Sequence, residues 1–129
     1  MTKTCRSNAK IIINEIPPSL NKFAGRENTW EYRAEKARWK SIVCMASKWN
    51  KQPMKKAVVT ITYFFGDKRR RDPDNYAGKM ILDGLTAAGV IEDDSFSNIR
   101  LVLAGQIDKD SPRTEICVQE VQDVQGNTV

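Results

Sequence analysis

The sequence contains no histidine, and this absence excludes several kinds of enzyme site. With 0 His among 129 residues, the chain has no Ser-His-Asp triad, no histidine general base and no histidine metal ligand. Any acid–base or metal-binding chemistry must therefore come from carboxylates, lysine, tyrosine or water.

Cysteine is scarce, and its placement argues against a zinc site or a disulfide framework. The three cysteines, Cys5, Cys44 and Cys117, are far apart and odd in number, which favours a reducing compartment. Cys44 and Cys117 lie in apolar segments, so we expect both to be small core residues.

The chain also lacks any stretch that resembles a membrane span or a secretion signal. No apolar run approaches the roughly 20 residues that cross a bilayer. The N-terminus, MTKTCRSNAK, has no apolar central region of the kind that directs secretion. We therefore predict a cytoplasmic protein without a membrane partner.

Positive charge is in excess, with 21 Lys and Arg against 16 Asp and Glu and a net charge of +5. This balance is compatible with a polyanionic partner but does not identify one. The hydrophobic share of 40% and the charged share of 29% are typical of a soluble globular domain. A chain of this length can bury one core.

Hydrophobic periodicity predicts a single α+β domain over residues 1–129, with residues 1–8 and 122–129 as frayed tails. β-branched and aromatic runs predict strands, and apolar spacings of three and four predict helices. The predicted strands are 10–16, 57–65, 98–107 and 114–121, and the predicted helices are 28–50 and 75–88. This order, β-α-β-α-β-β, implies a mixed sheet covered by two main helices.

Several local features of these elements can also be predicted. The segment 57–65 is apolar on both faces, which favours a central strand. The last two strands are expected to form a hairpin through the polar turn 108–113, and the tryptophans are expected in the core. Four residues are predicted to mark helix ends: Asn28 and Glu31 at the first start, Asp74 at the second start, and Gly89 at the second end.

Residues 68–94 concentrate the charges that could carry chemistry. Four consecutive cations open the stretch, and Asp72 and Asp74 follow at once, separated by Pro73. After the predicted second helix comes another acidic group, residues 92–94. Hard carboxylate oxygens suit Mg²⁺ or Mn²⁺, and adjacent cations suit a phosphate backbone. The four cations are Lys68, Arg69, Arg70 and Arg71.

The Asp72-Pro73-Asp74 step has a functional and a plain interpretation. A residue before proline avoids the α region, and in an extended segment side chains two apart point the same way. Both carboxylates could then face one metal ion. In the plain interpretation Asp74 caps the helix and Asp72 pairs with Arg71. An EF-hand is excluded because Ala77 stands where that loop requires glycine.

Three more cations have two interpretations each. Lys79 lies one helical turn after Asn75 and either pairs with Asp83 or stabilises negative charge on a phosphate. Lys22 and Arg26 lie in the loop 21–27, which is either a simple connector or a phosphate contact.

The stretch RRRDPDNYAGKMILDGLTAAGVIEDDS, residues 69–95, resembles the signature of the RusA-like Holliday junction resolvases. That signature runs Asp-x-Asp-Asn, a lysine-bearing helix, Asp-x-Leu and an Asp-Asp pair. The earlier PPSLNK, which follows the first predicted strand, is similar to the start of the same family. Lys79 stands one residue beyond the lysine position of that pattern, where this chain has Gly78.

The resemblance implies a small endodeoxyribonuclease that depends on Mg²⁺, with Mn²⁺ as a possible substitute. It would resolve four-way DNA junctions by paired phosphodiester hydrolysis in recombination and repair, as a homodimer. By position, Asp72, Asp74 and Asp94 match the metal-binding and catalytic carboxylates, and Asp93 matches the partner in the Asp-Asp pair. Lys79 is the candidate catalytic lysine. The candidate DNA-binding residues are Lys68, Arg69, Arg70, Arg71, Lys22, Arg26 and Asn75.

Two other functions remain open on the sequence. A metal-dependent transferase could use the Asp-x-Asp carboxylates, although no Walker or GxGxxG sequence is present for a nucleotide. A non-catalytic DNA-binding module would use the cations, but it has no need of carboxylates beside them, because carboxylates without a metal repel phosphate.

Overall fold

A four-stranded mixed sheet with two α-helices makes up the fold, in a computed structural model that describes residues 7–23 and 29–122. The helices are α1 (Trp30–Ser47) and α2 (Lys79–Ala87), and short 3-10 helices span Leu20–Phe23 and Pro73–Tyr76. The predicted α+β class and the order β-α-β-α-β-β are confirmed. The strands are β1 (Asn8–Ile13), β2 (Ala57–Phe65), β3 (Ile99–Ile107) and β4 (Arg113–Glu120).

The sheet has the strand order β1-β4-β2-β3. β2 pairs in parallel with β3 and antiparallel with β4, while β1 pairs antiparallel with β4. β2 is therefore an inner strand, as its two apolar faces predict. A parallel pair needs a crossover connection, and the segment that contains α2 supplies it between β2 and β3.

The predicted hairpin between the last two strands is wrong, because β2 lies between them. Asp108 donates its backbone N–H to the Phe65 carbonyl at 2.8 Å, which extends the β2–β3 pairing past the end of β3. The chain then starts β4 on the other side of β2, where Arg113 pairs with Phe64. The backbone of β2 pairs with β3 on one edge and with β4 on the other, so a short polar turn does not force β3 and β4 to pair with each other.

The core lies between one face of the sheet and the two helices. Val59 and Ile61 of β2 are fully buried, as is Trp39 of α1. The helices approach closely at Gly84, where an added Cβ would stand 2.6 Å from Val43 Cβ. This close contact fixes how α1 lies along α2, and so fixes the groove described below.

The prediction that Cys117 is a core residue is wrong, because Cys117 lies on the face of the sheet opposite the helices. Cys117 alternates in β4 with buried Ile116 and Val118, so it points away from the helices and is exposed. Cys44 is only partly buried, with its thiol 3.6 Å from the Gly84 carbonyl oxygen. Cys5 lies outside the described residues.

The tryptophans also divide between core and surface. Trp39 is fully buried and Trp49 packs against the core, as predicted. Trp30 is 76% exposed, contrary to the prediction, because it stands in the first turn of α1.

Both helices start at residues other than the predicted ones. Thr29 caps α1, accepting a hydrogen bond from the Tyr32 N–H at 3.4 Å; Asn28, the predicted cap, lies outside the described residues. Gly89 follows α2 with φ 76°, which confirms it as the left-handed residue that ends the helix. Within the described residues no helix is long and apolar enough to cross a membrane.

Candidate active site

The cation loop, residues 67–72, follows β2 and presents three of its four cations to solvent. Lys68 is exposed, and the side chains of Arg69 and Arg70 are 80% and 88% exposed. Arg69 Nε lies 3.3 Å from an Asp67 carboxylate oxygen, and Arg70 Nε lies 3.2 Å from Asp72. Such exposed pairs contribute little to stability, so these guanidinium groups can exchange their partners for phosphates.

Arg71 differs from its neighbours, because it holds the loop together. Its guanidinium donates to Asp67 Oδ1 at 2.8 Å and to the backbone carbonyls of Asp67 and Arg69 at 3.0 Å. It also lies over the Phe65 ring at 4.2 Å from the centroid, and its side chain is only 16% exposed. The loop backbone therefore owes its shape to Arg71.

Asp67 completes this arrangement with a strongly acidic carboxyl group. The Arg69 backbone N–H donates to it at 3.0 Å, and the Arg71 guanidinium adds a second hydrogen bond. Together these lower the pKa of Asp67 from 3.8 to about 2. Asp67 therefore stays ionised and keeps Arg71 in place at any ordinary pH.

The predicted extended Asp72-Pro73-Asp74 step is only half present. Asp72 is extended, with φ −102° and ψ 138°, but Pro73–Tyr76 forms a 3-10 helix that contains Asp74. The argument that both carboxylates point the same way therefore fails. Asp72 pairs with Arg70 rather than with Arg71. Asp74 is exposed and does not cap α2.

Gly78 separates this 3-10 helix from α2. It has φ 88°, and an added Cβ would stand 2.7 Å from Ile61 Cδ1, so only glycine fits here. Just before it, the Tyr76 ring packs against those of Tyr63 and Phe65 at 5.5 and 5.2 Å. The second helix thus begins at Lys79 rather than at residue 75. Compared with the RusA-like signature, this chain has one extra residue before Lys79, and the break at Gly78 lies in that segment.

Lys79 faces carboxylates at the start of α2. Its Nζ lies 3.2 Å from Asp83 Oδ1, so the ion pair that the sequence allowed is formed. The hydrogen bond to Asp83 is the main cause that raises the pKa of Lys79, and the charges of Asp83 and then Asp94 add to it. The side chain is 53% exposed, so solvent screens these effects. Lys79 belongs electrostatically with Asp83 and Asp94.

A groove of about 570 Å³ runs between α1 and α2; we call it the α1–α2 groove. One wall carries three carboxylates, from Asp83 and from the acidic turn that follows α2. The other wall carries three cations of α1 at spacings of three and four, which places them on one helix face. The charged residues that line the groove are Asp83, Asp93, Asp94, Arg33, Lys36 and Lys40.

Opposite charges face each other across this groove without closing it. Among the described residues, Lys36 and Lys40 form no ion pair with Asp93 or Asp94; Lys36 Nζ instead lies 5.6 Å from the Tyr32 ring centroid. The sequence motif did not include these α1 cations. Their spacing was visible, but the carboxylates opposite them come from residues about fifty positions later, and only the packing of α1 on α2 brings them together.

A second groove, of about 400 Å³, contains the other predicted residues. Asp72, Asn75 and the cation loop line it, together with Ser19 and Asn21 from the loop after β1. Lys22 is exposed nearby in the chain, with its Nζ 5.7 Å from the Phe23 ring centroid. Arg26 lies outside the described residues. Asp72 and Asn75 therefore share one groove, and Asp93 and Asp94 share another.

The carboxylates of the described residues do not form a three-member metal group. Among the described residues, no group of three or more His, Cys, Asp or Glu side chains is arranged to hold a metal ion. Mg²⁺, however, is commonly held by one or two carboxylates plus substrate phosphates. Asp93 and Asp94 line one groove, opposite cations that suit a phosphate. Their donor chemistry therefore fits Mg²⁺ with phosphate oxygens as the remaining ligands.

Comparison with known proteins adds no relative. No protein-family model matches the chain, and no curated protein matches it. The likeness to the RusA-like resolvases therefore rests on the motif in residues 69–95, and the function must be argued from the geometry of the grooves.

Proposed function

We propose that this chain is a Mg²⁺-dependent endodeoxyribonuclease that resolves four-way DNA junctions, with Mn²⁺ as a substitute metal. The observation that carries the proposal is the α1–α2 groove, with carboxylates on one wall and cations on the other. A phosphodiester is repelled by carboxylates alone. It is accommodated when a divalent cation lies beside the carboxylates and lysines lie on its other side.

The residues of the groove have distinct roles in this proposal. Asp94 and Asp93 would hold the metal, which when bound would supply an activated water and neutralise charge on the phosphate. Lys36 and Lys40 bind the phosphate oxygens from the α1 wall. Lys79, held at Asp83, adds positive charge near Asp94 as the phosphorus–oxygen bond breaks.

The second groove supplies DNA binding in the same proposal. Lys68, Arg69 and Arg70 contact the backbone of a junction arm in this proposal. Asn75, which lines the groove with Arg69 and Arg70, and Lys22 are proposed for the same role. Arg26 is proposed for the same role, from its sequence position. Asp72 and Asp74 are proposed as further metal ligands once DNA phosphates occupy the space between the two grooves. Such backbone contacts depend steeply on salt.

A homodimer completes the proposal, because a four-way junction and a two-fold dimer share their symmetry. Two copies would place two sites on opposing strands and give paired nicks. The enzyme is proposed to act in the cytoplasm, in DNA recombination and repair. This setting agrees with the scarce cysteines, of which Cys44 and Cys117 are unpaired.

The test is cutting of a synthetic four-way junction by the purified protein, with Mg²⁺ and with EDTA. We expect symmetric nicks that need Mg²⁺ and that fall more than about 100-fold in Asp94→Asn, since even indirect metal partners contribute 10–100-fold. Asp110→Asn is the matched control, because Asp110 is an exposed aspartate in the turn between β3 and β4. Absence of nicking by the parent protein in every divalent metal contradicts the proposal.

A non-catalytic junction-binding module is the second candidate. The observation that favours it is the separation of Asp72 from Asp94 into different grooves, without a three-carboxylate metal group among the described residues. The same assay distinguishes the two functions. Junction binding that is unchanged in Asp94→Asn, with no nicking by the parent protein, supports the binding module.

A further inference from the structure

Phe96 is the most exposed large apolar side chain among the described residues, at 93% exposure. It stands two positions after Asp94, in the turn that leads into β3. A benzyl group held in water contributes nothing to the core, and exposed apolar groups beside a groove are typical of binding surfaces.

The turn that carries Phe96 is held firmly to the rest of the fold. Backbone N–H groups of Asn98 and Ile99 both donate to the Ser95 carbonyl at 3.0 Å. The Asn98 amide group donates to the Lys55 carbonyl at 2.9 Å, and Lys56 Nζ donates to the Ser97 carbonyl at 2.8 Å. The backbone therefore presents Phe96 from a fixed position, which lowers the entropy lost when a ligand binds it.

The surroundings of Phe96 suit one nucleotide. Phe96 lines a groove of about 950 Å³ together with the apolar residues Leu82, Ile99 and Leu101 and the charged residues Arg100 and Asp94. A nucleotide combines a flat apolar base with an anionic phosphate, which matches a groove that contains both an aromatic ring and an arginine. Asp94 lines both this groove and the α1–α2 groove, so the two grooves adjoin at Asp94.

We propose that Phe96 stacks on an unpaired base of the DNA strand whose backbone is bound at Asp94. This inference rests on the proposed function and names the feature of the substrate that the site recognises. Bases at the crossover of a four-way junction can leave their stacks, whereas bases within a duplex arm are held in them. Stacking on Phe96 therefore favours branched DNA over duplex. The polar setting of the turn, with Ser95 and Ser97 hydrogen-bonded beside Phe96, favours a nucleotide over an apolar protein surface.

The test compares binding of two junctions and a fully paired duplex by four proteins and one control variant, with Ca²⁺ in place of Mg²⁺ and with the integrity of the DNA checked on a denaturing gel. One junction is complete, and the other carries abasic residues at the crossover. The proteins are the parent, Phe96→Ala, Phe96→Leu and Phe96→Trp. Ile12→Ala is the matched control, because Ile12 is an exposed apolar residue on β1, at the opposite edge of the sheet.

We expect Phe96→Ala and Phe96→Leu to weaken binding of the complete junction roughly 5- to 100-fold, as loss of one stacked base does. Phe96→Trp should bind like the parent, since it keeps an aromatic face. The difference between the parent and Phe96→Ala should vanish on the abasic junction and on a fully paired duplex. Ile12→Ala should leave every affinity unchanged.

Three outcomes overturn the inference. Equal affinities of the parent and Phe96→Ala for the complete junction overturn it, as does an equal loss on complete and abasic junctions. A lowered oligomeric mass of Phe96→Ala with unchanged DNA binding assigns the ring to a protein contact instead. The proposed function is tested separately, by junction binding and cutting in the parent protein. A parent protein that neither binds nor cuts the junction contradicts the proposed function and this inference together. A parent protein that binds and cuts the junction, while Phe96→Ala binds it equally well, contradicts this inference alone.

Discussion

The two acidic segments that flank α2 have similar composition but different surroundings. Asp72 and Asp74 follow a cation loop whose charges pair within the loop itself, as Arg70 does with Asp72 and Arg71 with Asp67. Asp93 and Asp94 follow the buried pair Val90 and Ile91, and they face cations of a distant helix across an open groove. The first set of charges forms ion pairs between residues close in sequence, whereas the second set is brought to one groove only by the packing of α1 on α2.

The largest expected effect concerns the support of the acidic turn. Ile91 is 1% exposed and bridges to Met54, whose carbonyl accepts the Glu92 N–H at 3.0 Å. Ile91→Ala should lower the free energy of unfolding by about 2–5 kcal/mol, because it leaves a cavity in the core. Denaturant unfolding measures this, with exposed Ile107→Ala as the control. A loss below about 0.5 kcal/mol in Ile91→Ala would show that the turn does not depend on the core.

The second prediction compares the two sets of cations directly. Lys36→Ala with Lys40→Ala should reduce cutting of saturating junction DNA roughly 100-fold, since in the proposed function these lysines contact the reacting phosphate. Lys68→Ala with Arg69→Ala should leave that rate nearly unchanged. Both double variants should weaken binding and lower the slope of log affinity against log salt by about 2, at roughly 0.9 per phosphate contact. Equal cutting rates in the two double variants would remove the distinction between the grooves.

Two arginines of the cation loop give the third prediction. Arg71→Lys should lower the free energy of unfolding by about 1–2 kcal/mol, because lysine cannot replace the bonds to Asp67 and to two carbonyls or the contact with Phe65. Arg70→Lys should change it by less than about 0.5 kcal/mol, since Arg70 is exposed. Thermal unfolding in one buffer measures both. Equal effects would mean that Arg71 is as replaceable as its neighbour.

The smallest expected effect is a pH dependence at Asp67. Its pKa is lowered from 3.8 to about 2, so the stability it contributes is fully present above the ordinary value and is lost as the pH falls towards about 2. The difference in Tm between the parent and Asp67→Asn should therefore shrink as the pH falls from 3.8 towards about 2, and it should be constant above that range. A Tm difference that grows as the pH falls would show that the ionised Asp67 carboxylate does not stabilise the fold.

The sequence predicted the class, the element order and β2 to the residue, because the apolar pattern of 57–65 depends on no partner. It did not predict which strands pair, since a polar turn between β3 and β4 is compatible with both a hairpin and a passage across the end of β2. The start of α2 was misplaced for a similar reason. Packing of Gly78 on Ile61 and of Tyr76 on Phe65 decides it, and neither contact is visible in local sequence.

The motif in the sequence named Asp94, Lys79 and the cation loop as candidate site residues, and they stay candidates. The negative charge of Asp94 contributes to raising the pKa of Lys79. The motif did not name Lys36 and Lys40, because the carboxylates that line the same groove lie far along the chain and are brought there by the packing of α1 on α2, at contacts such as that of Gly84 with Val43. A groove of this kind can be predicted only when the helix packing is known.

Mn²⁺ broadening of backbone amide signals, recorded by NMR with a short DNA duplex present, tests the central claim most directly. If the α1–α2 groove holds the metal and the phosphate, broadening should be strongest at Asp93 and Asp94 and should extend to the facing turn of α1 at Lys36 and Lys40. The signals of Asp108 and Asp110 should remain sharp, because they lie in the turn between β3 and β4, where Asp108 is already paired with Arg113 at 2.8 Å. Broadening that avoids residues 93 and 94, or that is as strong at residues 108 and 110, would contradict the assignment of this groove as the active site.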